Sequence, residues 1–384
     1  MPIRQTTRPT LRGTALPPAA VSWLDLVRAL SAQVVVLAHL ELLHRFEANP
    51  FLLPPLASIA VVVFYILSGF LIGRTLLLRY TDADYDFVHF LIDRFCRIYP
   101  AYLAALVFIA LIDYAHRLYY PQNYHIYLNG LGDYSYTVAN FIATALMVFK
   151  TPFLTSLVGP QNLMIFGSAS QFWSLPVEWW LYMTVGYLVL TLKRKRFVLR
   201  DYALLLLFAY IPFFFMFQGN PVTGEGMAAV WLMGAIASFV YNACRVDLTK
   251  KYVRNLIAVA ALLLCLTTLF RYQISGSPYD ALGAFNLTAL FLVSLWLVQH
   301  PWGSILSSAT IRRLTRFLAS YAYSLYLTHY SLVGFLNNFS LPAIIKWLLC
   351  NAFAVWFAYR FEVPHHRWAA KLHAWRARRI LPTV

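Results

Sequence analysis

The feature that most constrains the fold is a series of long apolar segments separated by short basic clusters. A helix needs about 20 mostly apolar residues to cross the hydrocarbon core of a bilayer. Charged residues make up only 12% of the chain, about half of their usual share in soluble domains. The sequence therefore predicts an all-α, polytopic membrane helix bundle of about ten transmembrane helices, at roughly 22–43, 56–78, 98–117, 172–192, 201–218, 225–244, 253–271, 281–299, 315–337 and 341–361.

The basic residues predict how this bundle is oriented. When successive loops are assigned alternately to the two sides, most of the 31 Lys and Arg residues fall on one side. Cytoplasmic loops carry such an excess, so both termini are expected in the cytoplasm, in a multi-pass protein of a cell membrane. The same bias explains the net charge of +16 without a nucleic-acid partner. The clusters on this side include Arg4, Arg8 and Arg12, then Arg94 and Arg97, Lys193–Arg196, and Arg312, Arg313 and Arg316.

We expect a transmembrane domain at 22–361 between an N-terminal tail at 1–21 and a basic C-terminal tail at 362–384, both cytoplasmic. The long outer segment 118–171 contains an apolar stretch, 138–149, that is too short to cross and predicts a re-entrant or interfacial helix. Its many tyrosines could stack on sugar rings or belong to an interfacial aromatic belt. The four cysteines have no CxxC spacing, so neither a disulfide nor a metal site is expected.

The first span carries two ionisable residues on one helical stripe. Arg28 and His39 are eleven residues apart, which places them within about 20° of each other and about 16 Å apart along the axis. Ionisable residues inside membrane segments usually mark functional sites. His39 is therefore a candidate catalytic residue and Arg28 a candidate binding residue, with Asp25 lining the same site. A histidine that only joins two helices is the simpler alternative.

The fourth span carries a carboxylate that we predict at the depth of His39. Glu178 lies about six residues below the outer surface, and an isolated carboxylate in apolar surroundings is costly. A carboxylate that orients an imidazole is the usual arrangement for general-base catalysis. The sequence predicts Glu178 as the partner of His39, with Trp173, Ser174 and Tyr182 lining the site, although Trp173 and Ser174 could serve only as interfacial anchors.

Basic residues at the cytoplasmic end of the third span predict an anion site. Arg94 and Arg97 are three residues apart and share a helix face, and two guanidinium groups suit a phosphate-bearing ligand. Anchoring of the span's topology is the alternative. In the second span, Tyr65 and Ser68 precede Gly69, a small residue that also lets helices approach closely.

Two residues of the ninth span, Tyr326 and His329, complete the predicted set. His329 is expected near the middle of the membrane. There it either lines the same cavity or forms a hydrogen bond between helices.

Together these motifs resemble the membrane-bound acyltransferase family 3, also called the O-acetylase family. The resemblance covers about residues 20 to 364. The matching motifs occur in the family's order: Arg28-x10-His39, Ser68-Gly69-Phe70, Arg94-x-x-Arg97, Trp173-Ser174-Leu175-x-x-Glu178 and Ser324 to His329.

The resemblance implies a ten-span bundle that moves an acyl group, usually acetyl, from acetyl-CoA to a hydroxyl of a cell-envelope carbohydrate (O-acetylation of a polysaccharide or its precursor). Acyl-CoA would then be a donor substrate and not a bound cofactor, held by Arg28, Arg94, Arg97, Ser68 and Tyr65, and no metal is implied. Many members have a second acidic residue directly after the motif glutamate, where this chain has Trp179. The hydrolase-like extracytoplasmic domain that some members carry is not expected.

Two alternatives to an enzyme remain open. A transporter or flippase of an envelope precursor could use His39 and Glu178 as proton-coupling or substrate sites, although the sequence shows no inverted repeat. A membrane scaffold or receptor would leave the shared depth of His39 and Glu178 unexplained.

Overall fold

The computed structural model describes residues 15–40, 42, 56–128, 132–149, 151–159, 163–194, 197–217, 226–244, 246–275, 280–300 and 302–380. Arg4, Arg8, Arg12, Lys195 and Arg196 of the predicted basic clusters lie outside these residues. The described residues form helices and contain no strand, as predicted. The helices are α1 Pro18–His39, α2 Leu56–Arg79, α3 Phe87–Tyr119, α4 Pro121–Tyr127, α5 Gly132–Ser135, α6 Val138–Ala145, α7 Pro152–Val158, α8 Leu175–Leu192, α9 Leu199–Phe217, α10 Met227–Ala243, α11 Lys251–Ser275, α12 Ala281–Leu297, α13 Gly303–Leu306, α14 Ala309–Ser320, α15 Ala322–Leu336, α16 Ala343–Phe361 and α17 His365–Ile380.

The lengths and composition of these helices confirm a multi-pass membrane protein. Within the described residues, six helical stretches are long and apolar enough to cross a bilayer: α1, α2, α3, Ser170–Leu192 (a 3-10 helix continued by α8), α11 and Ala343–Arg379, whose apolar part is α16. Two apolar helices of 17 residues, α10 and α12, are shorter. The predicted total of about ten spans stays a prediction.

Glycines allow α2 and α10 to pack with their backbones in contact. A Cβ atom on Gly69 would lie 2.0 Å from the carbonyl oxygen of Trp231, and one on Gly234 would lie 2.3 Å from that of Ile66. Any side chain at these positions would push the helices apart. The close helix approach expected at Gly69 is confirmed, and it brings Trp231 beside Ser68.

The predicted ninth span is wrong in its extent. The chain leaves helical geometry at Tyr321 (φ −117°, ψ 4°), which divides 315–337 between α14 and α15. The arginines of α14 are exposed, because burying three guanidinium groups on one short helix would be costly. The following helix, α15, is only 15 residues long, and most of its residues are buried in the bundle.

The long outer segment contains the short helix that the sequence predicts. This helix, α6, has only eight residues, so it cannot span the membrane. Val138 and Ile142 are exposed on one of its faces. On the opposite face, Asn140 and Thr144 accept hydrogen bonds from the backbone N–H groups of Met164 and Phe166. The segment therefore folds back on itself beside the helix.

The basic region after α16 forms a helix, α17, that packs against the start of α3. Arg376 donates hydrogen bonds of 2.9 and 2.5 Å to the two oxygens of Asp86, the residue that caps α3. His373 Nε2 lies 2.8 Å from Asp93 Oδ1. Burial works against ionisation of Asp86, but the hydrogen bonds from Arg376 and His89 hold its pKa below the usual value.

Candidate active site

A cavity enclosed by α1, α2, α3, α8 and α15 contains most of the predicted site residues. The space between its side chains amounts to about 1020 Å³, part of it open to solvent. We call it the inner cavity, because it includes Arg28, Arg94 and Arg97, which lie at the predicted cytoplasmic ends of α1 and α3. Nine of the predicted residues line it: Arg28, Tyr65, Ser68, Arg94, Arg97, Ser174, Glu178, Tyr182 and Tyr326.

The three arginines of the inner cavity differ in their partners. Arg97 forms an ion pair of 3.0 Å with Glu362 Oε1. Arg28 and Arg94 have no ion-pair partner among the described residues, and the Nε of Arg94 is buried there without a hydrogen bond. Guanidinium groups that face a cavity, and that have no carboxylate within ion-pair distance among the described residues, can attract an anionic ligand. Arg28 and Arg94 are therefore the two arginines available to bind one.

Glu362 is a site residue that the sequence reasoning missed. Its side chain is fully buried, and its Oε2 accepts hydrogen bonds from the N–H and hydroxyl of Ser324, at 3.1 and 2.7 Å. The only signal in the sequence was a single acidic residue directly after the last apolar span. It falls in the predicted basic tail, whose remaining residues include five Lys and Arg and no other acidic residue.

Glu178 has partners other than the one predicted. Its Oε1 accepts hydrogen bonds from Ser68 Oγ and Tyr182 OH, both at 2.5 Å, and Trp231 Nε1 donates to Ser68 Oγ at 3.1 Å. α8 begins at Leu175, directly after a 3-10 helix, and Pro176 and Glu178 lie in its first turn, where Glu178 bonds to Ser68 of α2. Glu178 lines the inner cavity and His39 does not, so the described residues do not show the predicted contact between them.

His39 lies in a second space, which we call the outer pocket. His39, Ser170, Gln171, Trp173 and Tyr330 are among its lining residues. His39 ends α1 and is exposed in this pocket. Asp25 is half-buried one turn before Arg28 and lines neither space.

Val61 and Tyr326 line both the inner cavity and the outer pocket. Tyr326 OH donates to the carbonyl oxygen of Gln171 at 2.7 Å and lies 2.8 Å from Ser174 Oγ. These hydrogen bonds fix the ring between the two spaces. The inner cavity and the outer pocket are therefore adjacent, with the Tyr326 ring as part of their common wall.

A second histidine contacts His39 from α15. His329 is fully buried, and its Nε2 lies 3.3 Å from His39 Nδ1. His39 Nδ1 also lies 2.8 Å from the carbonyl oxygen of Val35, and the ring of Tyr330 packs edge-on against His39. Of the two roles predicted for His329, the structure shows the hydrogen bond between helices. Within the described residues, no cluster of three metal-ligating side chains occurs.

Comparison with known proteins adds one match. Residues 21–361 match the family model described as an acyltransferase domain, that of acyltransferase family 3. No curated protein and no solved structure matches the chain significantly.

Proposed function

The chain belongs to acyltransferase family 3, and we propose that it transfers an acyl group from cytoplasmic acyl-CoA to a hydroxyl of a cell-envelope carbohydrate. Acetyl is the proposed acyl group, and the bacterial inner membrane is the proposed location. The observation that carries this proposal is the adjacency of the inner cavity to the outer pocket that contains His39. Two arginines of the inner cavity have no carboxylate partner among the described residues.

In this proposal the inner cavity binds the donor. Arg28 and Arg94 contact the phosphate groups of CoA, since guanidinium groups bind phosphate in a bidentate geometry. Arg97 contributes less directly, because Glu362 already neutralises much of its charge. The extended pantetheine arm then follows α1, which rises about 16 Å from Arg28 to His39. Along that distance, the arm extends from the inner cavity and places its thioester in the outer pocket.

The polar network around Glu178 lies beside the path of this arm. Glu178 accepts from both Ser68 and Tyr182, so it fixes the orientation of these two hydroxyl groups. A pantetheine arm carries two amides that need hydrogen-bond partners in an apolar bundle. We propose that Glu178 acts in donor binding, together with Ser68, Tyr65 and Tyr182, and not in proton transfer.

His39 is the proposed general base. The acceptor hydroxyl attacks the thioester carbonyl, so that a C–O bond forms and the C–S bond breaks. The hydroxyl proton passes to His39, which returns it to the sulfur of the departing CoA to give the free thiol. A positioned base contributes roughly 10² to 10⁴ to the rate. An acyl-imidazole on His39 would accomplish the same transfer in two steps.

The experiment that tests the proposal uses radiolabelled acetyl-CoA and membranes from cells that produce the protein. Label should move to glycan or lipid-linked glycan, and mass spectrometry should find an acetylated sugar. His39→Ala should abolish the transfer at normal protein levels. The control is His116→Ala, because His116 bonds to Asn338 and lines neither space. Full activity of His39→Ala would reject the base, and movement of glycan without label transfer would identify a transporter.

A further inference from the structure

We infer that His329 is the positioning residue that holds His39 in the tautomer able to accept a proton. This inference rests on the proposed function and replaces the predicted role of Glu178. It follows from the hydrogen bonds of the two imidazoles, which determine which ring nitrogen of each carries a proton.

The backbone of α15 fixes the tautomer of His329. Its Nδ1 lies 3.0 Å from the carbonyl oxygen of Leu325 and 2.9 Å from that of Tyr326. A carbonyl oxygen can only accept a hydrogen bond, so Nδ1 carries the proton. In the neutral imidazole the Nε2 of His329 then has a lone pair, and this lone pair is directed toward His39.

The tautomer of His39 follows from that of His329. Two acceptors surround its Nδ1: the carbonyl oxygen of Val35 at 2.8 Å and the Nε2 of His329 at 3.3 Å. Nδ1 must therefore be protonated, because a lone pair there would face both acceptors. The basic lone pair of neutral His39 is then on Nε2, the nitrogen that the proposed reaction uses as the base.

His329 thus performs the role that a carboxylate performs in many catalytic triads. It accepts a hydrogen bond from the nitrogen of the base that does not react, and it stabilises the imidazolium that forms during catalysis. A neutral partner suits this position, because a second histidine needs no counter-ion in the apolar bundle, whereas a carboxylate would.

The surroundings of α15 hold His329 in place. Gln171 Nε2 donates to the carbonyl oxygen of Leu327 at 2.6 Å, and Ser331 Oγ donates to that of Ser168. Ser168 in turn donates to the buried carboxylate of Asp113 through its N–H and its hydroxyl, at 2.7 and 2.5 Å. These bonds fix α15 against the outer segment on both sides of His329. The pair of imidazoles therefore has little freedom to separate.

Two variants of His329 test the inference by label transfer from acetyl-CoA. His329→Leu removes the nitrogen that accepts the hydrogen bond from His39 Nδ1. His329→Gln can instead place its amide oxygen near the position of that nitrogen, Nε2. The control is Thr328→Val. It removes a buried hydroxyl of the same helix, which donates to the carbonyl oxygen of Ser324 one turn earlier in α15.

We expect the maximal rate and the half-saturating acetyl-CoA concentration to respond differently. His329→Leu should lower the maximal rate about 10- to 100-fold, as when other functional histidines lose their second partner. Its half-saturating acetyl-CoA concentration should stay within about twofold, because donor binding is not affected. His329→Gln should recover most of the rate, and Thr328→Val should keep it. Equal rates for His329→Leu and the wild-type protein would overturn the inference.

A second measurement does not depend on activity. Diethyl pyrocarbonate modifies the unprotonated imidazole of the exposed His39, and mass spectrometry of the intact protein in nanodiscs follows the reaction. In His329→Leu the pH of half-maximal modification should fall by about one unit, the usual effect of one hydrogen bond to a charged group. An unchanged midpoint would contradict the inference.

The two measurements also separate the inference from the proposed function. If the midpoint shifts but His39→Ala still transfers label, the histidine pair is supported and the proposed base is rejected. If His39→Ala is inactive and His329→Leu behaves as the wild-type protein in both measurements, the base is supported and the positioning role is rejected.

Discussion

Arg97 and Glu362 form an ion pair of 3.0 Å that joins α3 to the residue directly after α16. Glu362 is fully buried and also accepts two hydrogen bonds from Ser324 at the start of α15. One carboxylate thus links three segments that are far apart in the sequence. It also explains why Arg97, alone among the arginines of the inner cavity, has an ionic partner there within the described residues.

Replacement of Glu362 by glutamine should destabilise the protein, because it leaves the Arg97 guanidinium without its partner. Removing one member of a buried ion pair typically costs about 3–5 kcal/mol, and the partial exposure of Arg97 places the expected loss at the lower end of that range. The thermal midpoint of the purified protein measures this loss. As a control, Asp82→Asn breaks only the exposed pair with Arg79, for which about 0–1 kcal/mol is usual. Equal midpoints for the two variants would contradict the prediction.

Replacement of Arg94 by alanine should weaken donor binding. If Arg94 contacts a CoA phosphate, the loss of a charge-assisted hydrogen bond should raise the half-saturating acetyl-CoA concentration about 10- to 100-fold. The measurement is label transfer at increasing acetyl-CoA concentrations. The control is Arg312→Ala, since Arg312 is exposed on α14 and lines neither space. An unchanged concentration for Arg94→Ala would exclude Arg94 from phosphate binding.

Replacement of Gly69 by alanine should separate α2 from α10. The new Cβ would overlap the carbonyl oxygen of Trp231, which belongs to the backbone and cannot rotate away. Such overpacking typically costs about 1–3 kcal/mol, occasionally more, and should also move Trp231 Nε1 away from Ser68. Thermal unfolding measures the loss. Gly283→Ala is the matched control, because its Cβ would meet nothing closer than 3.7 Å.

The contact between α17 and the end of α16 should weaken in acid. Burial, reinforced by the charge of Arg97, lowers the pKa of His365 from 6.5 to about 4. A histidine with a lowered pKa contributes its full stability above the pKa of the unfolded chain. That contribution is lost as the pH falls from about 6.5 toward 4, because protonation then favours the unfolded form.

The thermal midpoint measured across this pH range tests the role of His365. His365→Asn can keep the hydrogen bond to the carbonyl oxygen of Glu362 but does not titrate. The variant should therefore lose less stability between pH 6.5 and 4 than the wild-type protein. Asp86, whose pKa is lowered, contributes to a separate loss only below about pH 4. Parallel curves for the wild-type protein and the variant would exclude His365 as the cause.

The helical fold and its membrane-spanning helices could be predicted from the sequence, because the required length of an apolar segment follows from the thickness of the bilayer. The relative positions of Arg28 and His39 along one helix could also be predicted. Arg28 lines the inner cavity and His39 the adjacent outer pocket, as expected for one helical stripe about 16 Å long.

Contacts between helices could not be derived in the same way. A shared depth along two helices leaves their rotation undetermined, and the rotation decides which helix a side chain faces. For this reason Glu178 could be placed near the site but its partners, Ser68 and Tyr182, could not be identified. The partner of Glu362 was missed for the same reason, since nothing in the sequence relates the end of α16 to Arg97.

Tyr326 has a consequence for the permeability of the membrane. A protein with aqueous openings toward both faces risks conducting protons and ions down their electrochemical gradients. The hydrogen-bonded ring of Tyr326 forms part of the wall between the inner cavity and the outer pocket. In the proposed reaction, the thin pantetheine arm of acyl-CoA would occupy the passage beside Tyr326. An acyl group could then reach the outer pocket without an open channel through the protein.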